Sequence, residues 1–326
     1  MANKSNKVIR IGGTSFSGST MLDLMLSNAD DAFSCGEVCN LFRPYRPQHF
    51  NPICVCQDSA CRLWKTVKKS GEKKLWHSLF SIMPEMNIFI DSSKDMGWYR
   101  DQIKFDNKKQ HEVFNVLIWK TPEEYAYSCI KRGKTDNWKR SYINYHSRYF
   151  QTMDRWVSVR YADLATQPAD KLKRLCDRLG IDYFPGKEAY WDRTYHTLFG
   201  SFSAKLHLYQ RDTNAYASIT QERSKYKLKI DANSEPEIRQ HRSIYYDENM
   251  INKLPIEIRK ELDAPVFSDI LKILERTELD FVDLEDDIQS AKIKVKPFFG
   301  WHVAKKFKRH IRYILCKTRM VRKSMK

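Results

Sequence analysis

The chain has 326 residues, of which 42% are apolar and 13% aromatic, which is enough for a sizeable hydrophobic core and excludes an intrinsically disordered protein. Its net charge of +17 favours a polyanionic ligand such as a nucleotide, but ten lysines and arginines lie between Lys305 and Lys326 without an acidic residue, so residues 1–304 carry the remaining +7. No apolar run approaches the roughly 18 residues that cross a bilayer, and residues 1–7 lead into a strand rather than a signal peptide, so we expect a cytoplasmic protein.

The first predicted elements are a buried strand over residues 7–12 and a helix that starts near Met21, joined by a loop with glycines at 13 and 18. Glycines let the backbone bend so that successive N–H groups and the positive end of the helix converge on one phosphate-like group. We therefore predict an anion site, formed by Gly13, Thr14, Ser15, Phe16, Ser17, Gly18, Ser19 and Thr20. A glycine turn that only closes the strand–helix unit is the alternative.

The loop differs from the P-loop of ATP-dependent enzymes at one position. That motif is G-x-x-x-x-G-K-[ST], and its lysine contacts the β- and γ-phosphates. Gly13 and Gly18 have the matching separation, but Ser19 stands at the lysine position. The spacing therefore argues against a kinase.

Residues 40–85 are predicted to form an insertion over the sheet, because they contain prolines, scattered cysteines and little periodicity. The cysteines of the whole chain are neither dense nor regular enough for a disulfide scaffold. Cys54, Cys56 and Cys61 resemble part of a zinc site, but metal clips normally use paired Cys-x2–4-Cys spacings and four ligands. We therefore favour reduced, packed thiols and predict no metal.

Further buried strands are predicted over residues 87–90, 114–119 and 156–161. After the strand at 114–119, Thr121 can cap a helix, Pro122 suits its first position, and two glutamates suit its dipole. Another helix is predicted from Pro168 to the stop at Gly180. Strands that alternate with helices predict a three-layer α/β fold, a parallel sheet with helices on both faces that binds ligands beyond the carboxyl ends of its strands.

We expect one α/β domain over residues 1–296, in which residues 200–250 form a lid or long loop before a helical stretch around 255–276. Residues 297–326 are predicted to form a basic amphipathic helix. Through residues 298–326 such a helix can lie on an anionic membrane surface, or it can dock on its own domain. No nucleic-acid partner is expected, because no reader motif accompanies the charge.

Several motifs between about residues 7 and 205 resemble the sulfotransferases that use 3′-phosphoadenosine 5′-phosphosulfate (PAPS). After the glycine loop, in order, come Cys35-Gly36-Glu37-Val38, Cys54-x-Cys56 with Cys61 and Trp64, Asp91-Ser92-Ser93-Lys94, Pro122 with Ala126-Tyr127-Ser128, and Val159 to Leu164. The resemblance implies the P-loop NTPase-like sulfotransferase fold, with the 5′-phosphosulfate in the loop. It also implies that Lys120 and Ser128 hold the 3′-phosphate. Two separated anion sites suit a nucleotide phosphorylated at both ends, although a solvated lysine and a serine bonded to its own helix are the alternative.

Glu37 is the candidate general base, because sulfuryl transfer to an alcohol requires removal of the acceptor proton, and the resemblance assigns the same role. The alternative is a glutamate that bonds backbone N–H groups in a turn. The resemblance places a cation where Phe16 stands, so we predict that Lys94 substitutes for it, unless a salt bridge with Asp91 or Asp95 occupies it. His196 is expected to have a structural or binding role, and Ser201 stands where the family pattern usually has asparagine.

The sequence thus predicts an enzyme that moves a sulfuryl group from PAPS to a hydroxyl of a carbohydrate or lipid by in-line displacement, without a required metal. It would act in the cytoplasm, either free or as a peripheral protein on the inner face of a membrane. A catalytically silent nucleotide-binding or membrane-associated member of the family is the first alternative, since Phe16 removes a catalytic cation. A P-loop kinase is the second.

Overall fold

The computed structural model describes residues 5–56, 58–105, 111–205, 208, 244 and 246–282. The predicted basic helix over residues 297–326 lies outside the described residues, as does most of the predicted lid, residues 209–243.

Five parallel strands form one sheet with the order β2-β3-β1-β4-β5. They are β1 (Lys7–Gly12), β2 (Ala32–Gly36), β3 (Ile88–Asp91), β4 (Glu112–Trp119) and β5 (Val157–Arg160). Strand β1 is central, since it pairs with β3 on one side and β4 on the other. The chain fills one side of β1 with β2 and β3 and then the other with β4 and β5. The carboxyl end of β1 therefore lies where the strand order reverses, the usual place for a ligand in such sheets.

Both faces of the sheet are apolar and covered. Val8, Phe89 and Leu117 point to one face, whereas their neighbours Ile9 and Ile90 point to the other. The helices between residues 63 and 152 and the helix over residues 265–276 cover the first face, and those over residues 19–26, 161–166 and 168–179 cover the second. This arrangement confirms the predicted three-layer α/β architecture.

The helices are α1 (Ser19–Leu26), α2 (Cys39–Phe42), α3 (Leu63–Ser70), α4 (Leu75–Ile82), α5 (Met96–Phe105), α6 (Pro122–Ile130), α7 (Trp138–Thr152), α8 (Tyr161–Thr166), α9 (Pro168–Leu179), α10 (Phe202–Lys205), α11 (Ile256–Glu261) and α12 (Pro265–Arg276). Short 3-10 helices occur at Pro47–His49, Glu72–Lys74, Tyr190–Asp192 and Ile251–Lys253. Within the described ranges, no helix combines the length and the apolar character needed to cross a membrane.

The sequence predicted four of the five strands within two residues. It missed β2, whose run Ala-Phe-Ser-Cys-Gly is short and mixes small polar with apolar side chains, although all five residues are buried. The start of α6 is confirmed in detail, because Thr121 caps the helix and exchanges hydrogen bonds with Glu124 in a capping box. The predicted stop of α9 is also confirmed, with Gly180 in the left-handed conformation at its C-cap.

The segment 40–85 connects β2 to β3. Because these two strands are adjacent and parallel, the chain must cross from one end of the sheet to the other between them. Helices α3 and α4 make this crossover, and Trp64, Val67, Trp76 and Leu79 bury their side chains in the core of the first face. The cysteine-bearing part of the segment, residues 54–61, lies just before α3.

Candidate functional site

The glycine loop leaves β1 after Gly12 and enters α1 at Ser19. Gly13 and Gly18 adopt φ of 153° and 97°, and a Cβ atom at Gly18 would lie 2.5 Å from the ring of Tyr161. A Cβ at Gly13 would lie 2.3 Å from Ser17 Oγ. Both positions therefore require glycine, and the loop packs closely on itself and on Tyr161.

Two hydroxyl groups in the loop have unused hydrogen-bonding capacity. Thr14 Oγ1 and Ser17 Oγ are buried and have no hydrogen-bond partner among the described residues. A buried polar group without a partner costs about 1–3 kcal/mol, so such groups in a loop of this shape fit a bound anion. Ser15 is exposed, and Thr20 Oγ1 accepts a hydrogen bond of 2.9 Å from the backbone N–H of Ser201.

Tyr145 of α7 lies at the mouth of the loop. The backbone N–H of Gly13 donates to Tyr145 Oη over 2.7 Å, and burial raises the pKa of the phenol well above its usual value. The tyrosine is therefore neutral at physiological pH and leaves the loop without a competing negative charge. No sequence pattern indicates this contact, because 132 residues separate the two partners.

Lys94 joins the loop to the candidate base. It follows β3, and its Nζ atom donates to Glu37 Oε1 over 2.6 Å, to Ser19 Oγ over 3.0 Å and to the carbonyl of Ser92 over 3.1 Å. These three bonds use all three ammonium donors. The backbone of Lys94 has a φ of 57°, a left-handed conformation that is uncommon outside glycine and recurs at functional sites.

Buried acidic groups hold the end of β3 in place. Asp91 accepts hydrogen bonds from the backbone of Ser93 and the indole of Trp98, and Ser92 Oγ donates to Asp23 over 2.6 Å. Burial raises the pKa of Asp23 to about 7, and it also raises the pKa of Asp91 against the opposing effect of its hydrogen bonds. These contacts fix the backbone that carries Lys94.

Glu37 lies directly after β2, with about a fifth of its side chain exposed. Its backbone N–H donates to the carbonyl of Leu198, and its second carboxylate oxygen accepts a bond of 3.0 Å from Asn40. Burial raises the pKa of Glu37, but the ammonium of Lys94 outweighs it, with help from His49 and Arg46, and holds the pKa below the usual range. The carboxylate is therefore ionised at neutral pH and able to accept a proton.

Lys120 and Ser128, the two residues predicted to hold a 3′-phosphate, are in contact with each other. Lys120 follows β4, and its Nζ atom donates to Ser128 Oγ on α6 over 3.1 Å. The same atom lies 4.1 Å from the ring centroid of Tyr161, the residue that also packs on Gly18. Burial, reinforced by Arg132, lowers the pKa of Lys120 to about 7. A second cationic position therefore adjoins the glycine loop.

Two cationic side chains lie against the ring of Phe16, and the sequence did not predict either contact. Its ring centroid lies 4.2 Å from the guanidinium carbon of Arg132 and 4.9 Å from Lys134 Nζ, both within cation–π range. Burial and the nearby charges of Arg46 and Arg132 lower the pKa of Lys134. Phe16 itself has a φ of 69°. The basic run that follows α6 in the sequence was the available signal for these residues.

His196 lies among the cysteines of the crossover. Its Nδ1 atom is 3.5 Å from both Cys54 Sγ and Cys61 Sγ. Together with Cys56, these residues form a group in which all four donor atoms lie within 4.8 Å of one another. The sequence favoured packed thiols over part of a zinc site here, because the local motif holds three potential ligands and a metal clip normally uses four; His196 is 135 residues from Cys61.

No protein-family model matches this chain, and no curated protein matches its sequence. Among solved structures, the chain is similar to the sulfotransferase domain from the curacin biosynthetic pathway, with 15% identity and a TM-score of 0.46 over 74% of this chain and 99% of that one. It is also similar to the sulfotransferase domain from the Synechococcus PCC 7002 olefin synthase, with 17% identity and a TM-score of 0.36 over 57% of this chain and 77% of that one.

Proposed function

We propose that this protein transfers a sulfuryl group from PAPS to a hydroxyl group of a carbohydrate or lipid acceptor. The observation that carries the proposal is the position of the Lys94 ammonium, which bonds the first residue of the loop helix, Ser19, and the carboxylate of Glu37 at the same time. A single cation thus contacts both the glycine loop, which is predicted to bind an anion, and a carboxylate that can accept a proton. Sulfuryl transfer needs an anion site and a proton acceptor close together.

Two neighbouring polar positions suit the two anionic ends of the donor. The loop offers the hydroxyls of Thr14 and Ser17 to the phosphosulfate end. Lys120 and Ser128, with Arg132 close by, offer a separate site for the 3′-phosphate. Because Tyr161 packs against both Gly18 and Lys120, the two sites are neighbours, as the two ends of one nucleotide require.

The bound donor supplies a sulfuryl group on a good phosphate leaving group. The acceptor oxygen attacks the sulfur, the bond from sulfur to the bridging phosphate oxygen breaks, and the acceptor proton passes to Glu37. Lys94 is placed to stabilise the negative charge that grows on the leaving oxygen. As the ammonium turns toward that oxygen, Glu37 loses part of the interaction that lowers its pKa and becomes a stronger base.

Phe16 changes how positive charge is supplied to the loop. A phenyl ring cannot stabilise a leaving oxygen directly, but the ring of Phe16 holds Arg132 and Lys134 beside the loop. We assign the direct contact with the leaving oxygen to Lys94 and the long-range attraction of the nucleotide to these two cations.

A catalytically silent nucleotide-binding protein is the second candidate, and Phe16 is the observation that favours it. Such a protein would bind the same nucleotide without turnover. A P-loop kinase is less well supported, because Ser19 stands at the position of the ATP-binding lysine.

The proposed acceptor and the proposed membrane location are inferred from the sequence of residues 298–326. A basic amphipathic segment over residues 298–326 would bring the enzyme to the anionic inner face of a membrane and to lipid or lipid-linked acceptors. Cosedimentation of the full chain with phosphatidylserine-containing vesicles, compared with phosphatidylcholine vesicles, tests this part. Equal sedimentation with both kinds of vesicle would contradict it.

Calorimetric titration with 3′,5′-bisphosphoadenosine and with ATP tests the nucleotide assignment. We expect the bisphosphate to bind at least about tenfold more tightly than ATP, a difference of about 1.4 kcal/mol. Tight binding of ATP alone would overturn the proposal. As a matched pair, Lys120→Met should weaken binding of the bisphosphate, whereas Lys65→Met, on the exposed surface of α3, should leave it unchanged.

A further inference from the structure

We propose that Cys54, Cys56, Cys61 and His196 form a structural zinc site. The three thiols belong to the crossover between β2 and β3, and the imidazole belongs to the segment between α9 and α10. None of these side chains takes part in the sulfuryl transfer proposed above, so the site is separate from that chemistry.

The spacing of the donor atoms fits tetrahedral coordination. A zinc ion with Zn–S bonds of about 2.3 Å and a Zn–N bond of about 2.05 Å separates sulfur from nitrogen by about 3.6 Å. Cys54 Sγ and Cys61 Sγ each lie 3.5 Å from His196 Nδ1. All four donor atoms lie within 4.8 Å of one another, so small side-chain shifts bring the sulfurs to the separation of about 3.8 Å that tetrahedral zinc requires.

Hydrogen bonding alone explains the cluster less well. A histidine Nδ1 atom carries either one proton or one lone pair, so it makes one good hydrogen bond in the ring plane. Here two thiols approach the same nitrogen at equal distance. A disulfide also leaves the group incomplete, because three cysteines cannot all be paired with one another. Three thiolates and one imidazole form a donor set that zinc prefers in closed structural sites.

The surroundings hold the histidine in a fixed orientation. The indole N–H of Trp64 donates to the backbone carbonyl of His196, and the imidazole ring stacks on Phe33 with an interplanar angle of 9°. The backbone N–H of Val55 donates to the carbonyl of Thr197 over 3.4 Å. These contacts restrain the backbone and the ring of His196, and such restraint helps to orient a ligand toward a metal ion.

The proposed ion would link the crossover to one wall of the candidate active site. Two residues after His196, the carbonyl of Leu198 accepts a hydrogen bond from the backbone of Glu37. Further along, the backbone N–H of Ser201 donates to Thr20 of α1. A metal ion bound to His196 would therefore have a structural role. It would hold residues 196–201 in place, and these residues contact both Glu37 and helix α1.

The spacing of the ligands explains why the sequence favoured packed thiols over a metal site. Cys54 and Cys56 are separated by one residue, which is shorter than the usual paired spacing, and the fourth ligand is distant in the chain. The fold supplies the missing ligand by placing the segment that carries His196 beside β2, where Gly36 and Leu198 form a bridge.

The test is the zinc content of the full chain, purified without a nickel column and dialysed against a weak chelator. We expect about one zinc per chain by elemental analysis, with Cys61→Ser and His196→Asn below about a tenth of that value. The controls Cys129→Ser, a cysteine of α6, and His77→Gln, an exposed histidine of α4, should keep their zinc.

Cobalt provides a second readout that does not depend on the variants folding. Reduced, metal-free wild-type protein should bind one Co²⁺ with the intense visible bands of a tetrahedral site and with sulfur-to-cobalt charge-transfer absorption. The proposal would be overturned by wild-type protein that holds neither zinc nor tetrahedral cobalt, or by a disulfide between any two of the three cysteines. Neither measurement requires sulfuryl transfer, so this proposal can fail while the proposed function stands, and the reverse is also true.

Discussion

The affinity for a 3′-phosphorylated nucleotide should fall as the pH rises, because Lys120 must be protonated to bind the phosphate. Burial and the charge of Arg132 lower the pKa of Lys120 to about 7 in the protein without ligand. A bound phosphate dianion would return this pKa toward the usual value for lysine, so binding takes up a proton between the two pKa values. Affinity is then highest below pH 7 and falls as the pH rises through the lower pKa.

The size of the effect follows from the fraction of protonated Lys120. With a pKa of about 7, half of the protein carries the ammonium at pH 7 and about 1% carries it at pH 9, so affinity should fall about 50-fold, or about 2.3 kcal/mol. The phosphate adds little to this change, because its second pKa is near 6 and it is a dianion at both pH values.

Isothermal calorimetry with 3′,5′-bisphosphoadenosine between pH 7 and pH 9 measures this dependence. Adenosine 5′-phosphosulfate, which lacks the 3′-phosphate, should bind with little change over the same range. Lys120→Arg keeps its charge throughout and should bind with a nearly flat profile, whereas Ser128→Ala should bind more weakly with the same slope. A flat profile for the wild-type protein, or an equally steep one for Lys120→Arg, would show that protonation of Lys120 does not control phosphate binding.

Three further substitutions test the remaining roles. Glu37→Gln should leave bisphosphate affinity within about threefold and lower kcat by about 10²–10⁴-fold, and full activity in steady-state assays would eliminate Glu37 as the base. Lys94→Met should lower kcat by about 10²–10³-fold with a small effect on nucleotide affinity. Weaker nucleotide binding with an unchanged kcat would show that Lys94 binds the donor but does not stabilise the transition state. Phe16→Leu removes the ring that holds Arg132 and should weaken bisphosphate binding about threefold at low salt, as measured by calorimetry; unchanged affinity would show that the ring contact does not matter.

The parts of the fold that the sequence predicted are those with strong local signals. The capping box of α6 depends on residues three positions apart, and β1 depends on one apolar run, so neither needs the rest of the protein. Strand β2 is different, because its burial comes from its neighbours β3 and the segment around Leu198 rather than from its own composition.

In the candidate site, too, local features were predicted from the sequence and contacts between distant segments were not. The sequence indicated Glu37 and Lys94 separately, but not the ion pair that joins them, because the two residues follow different strands that become close only in the sheet. It paired Lys120 with Ser128 through the family resemblance, and the two residues lie on one strand–helix unit, where they are in contact. The position of Arg132 over Phe16 depends on how the loop packs on the end of α6, which no sequence pattern specifies.

Sulfuryl transfer can be measured directly. The full chain is incubated with isotopically labelled PAPS and a panel of carbohydrate and lipid alcohols, and the products are identified by mass spectrometry. We expect a sulfated acceptor and 3′,5′-bisphosphoadenosine in equal amounts, with both products lost in Glu37→Gln. Tight binding of the bisphosphate with no labelled sulfate transferred to any acceptor would exclude sulfuryl transfer and identify a nucleotide-binding protein without this activity.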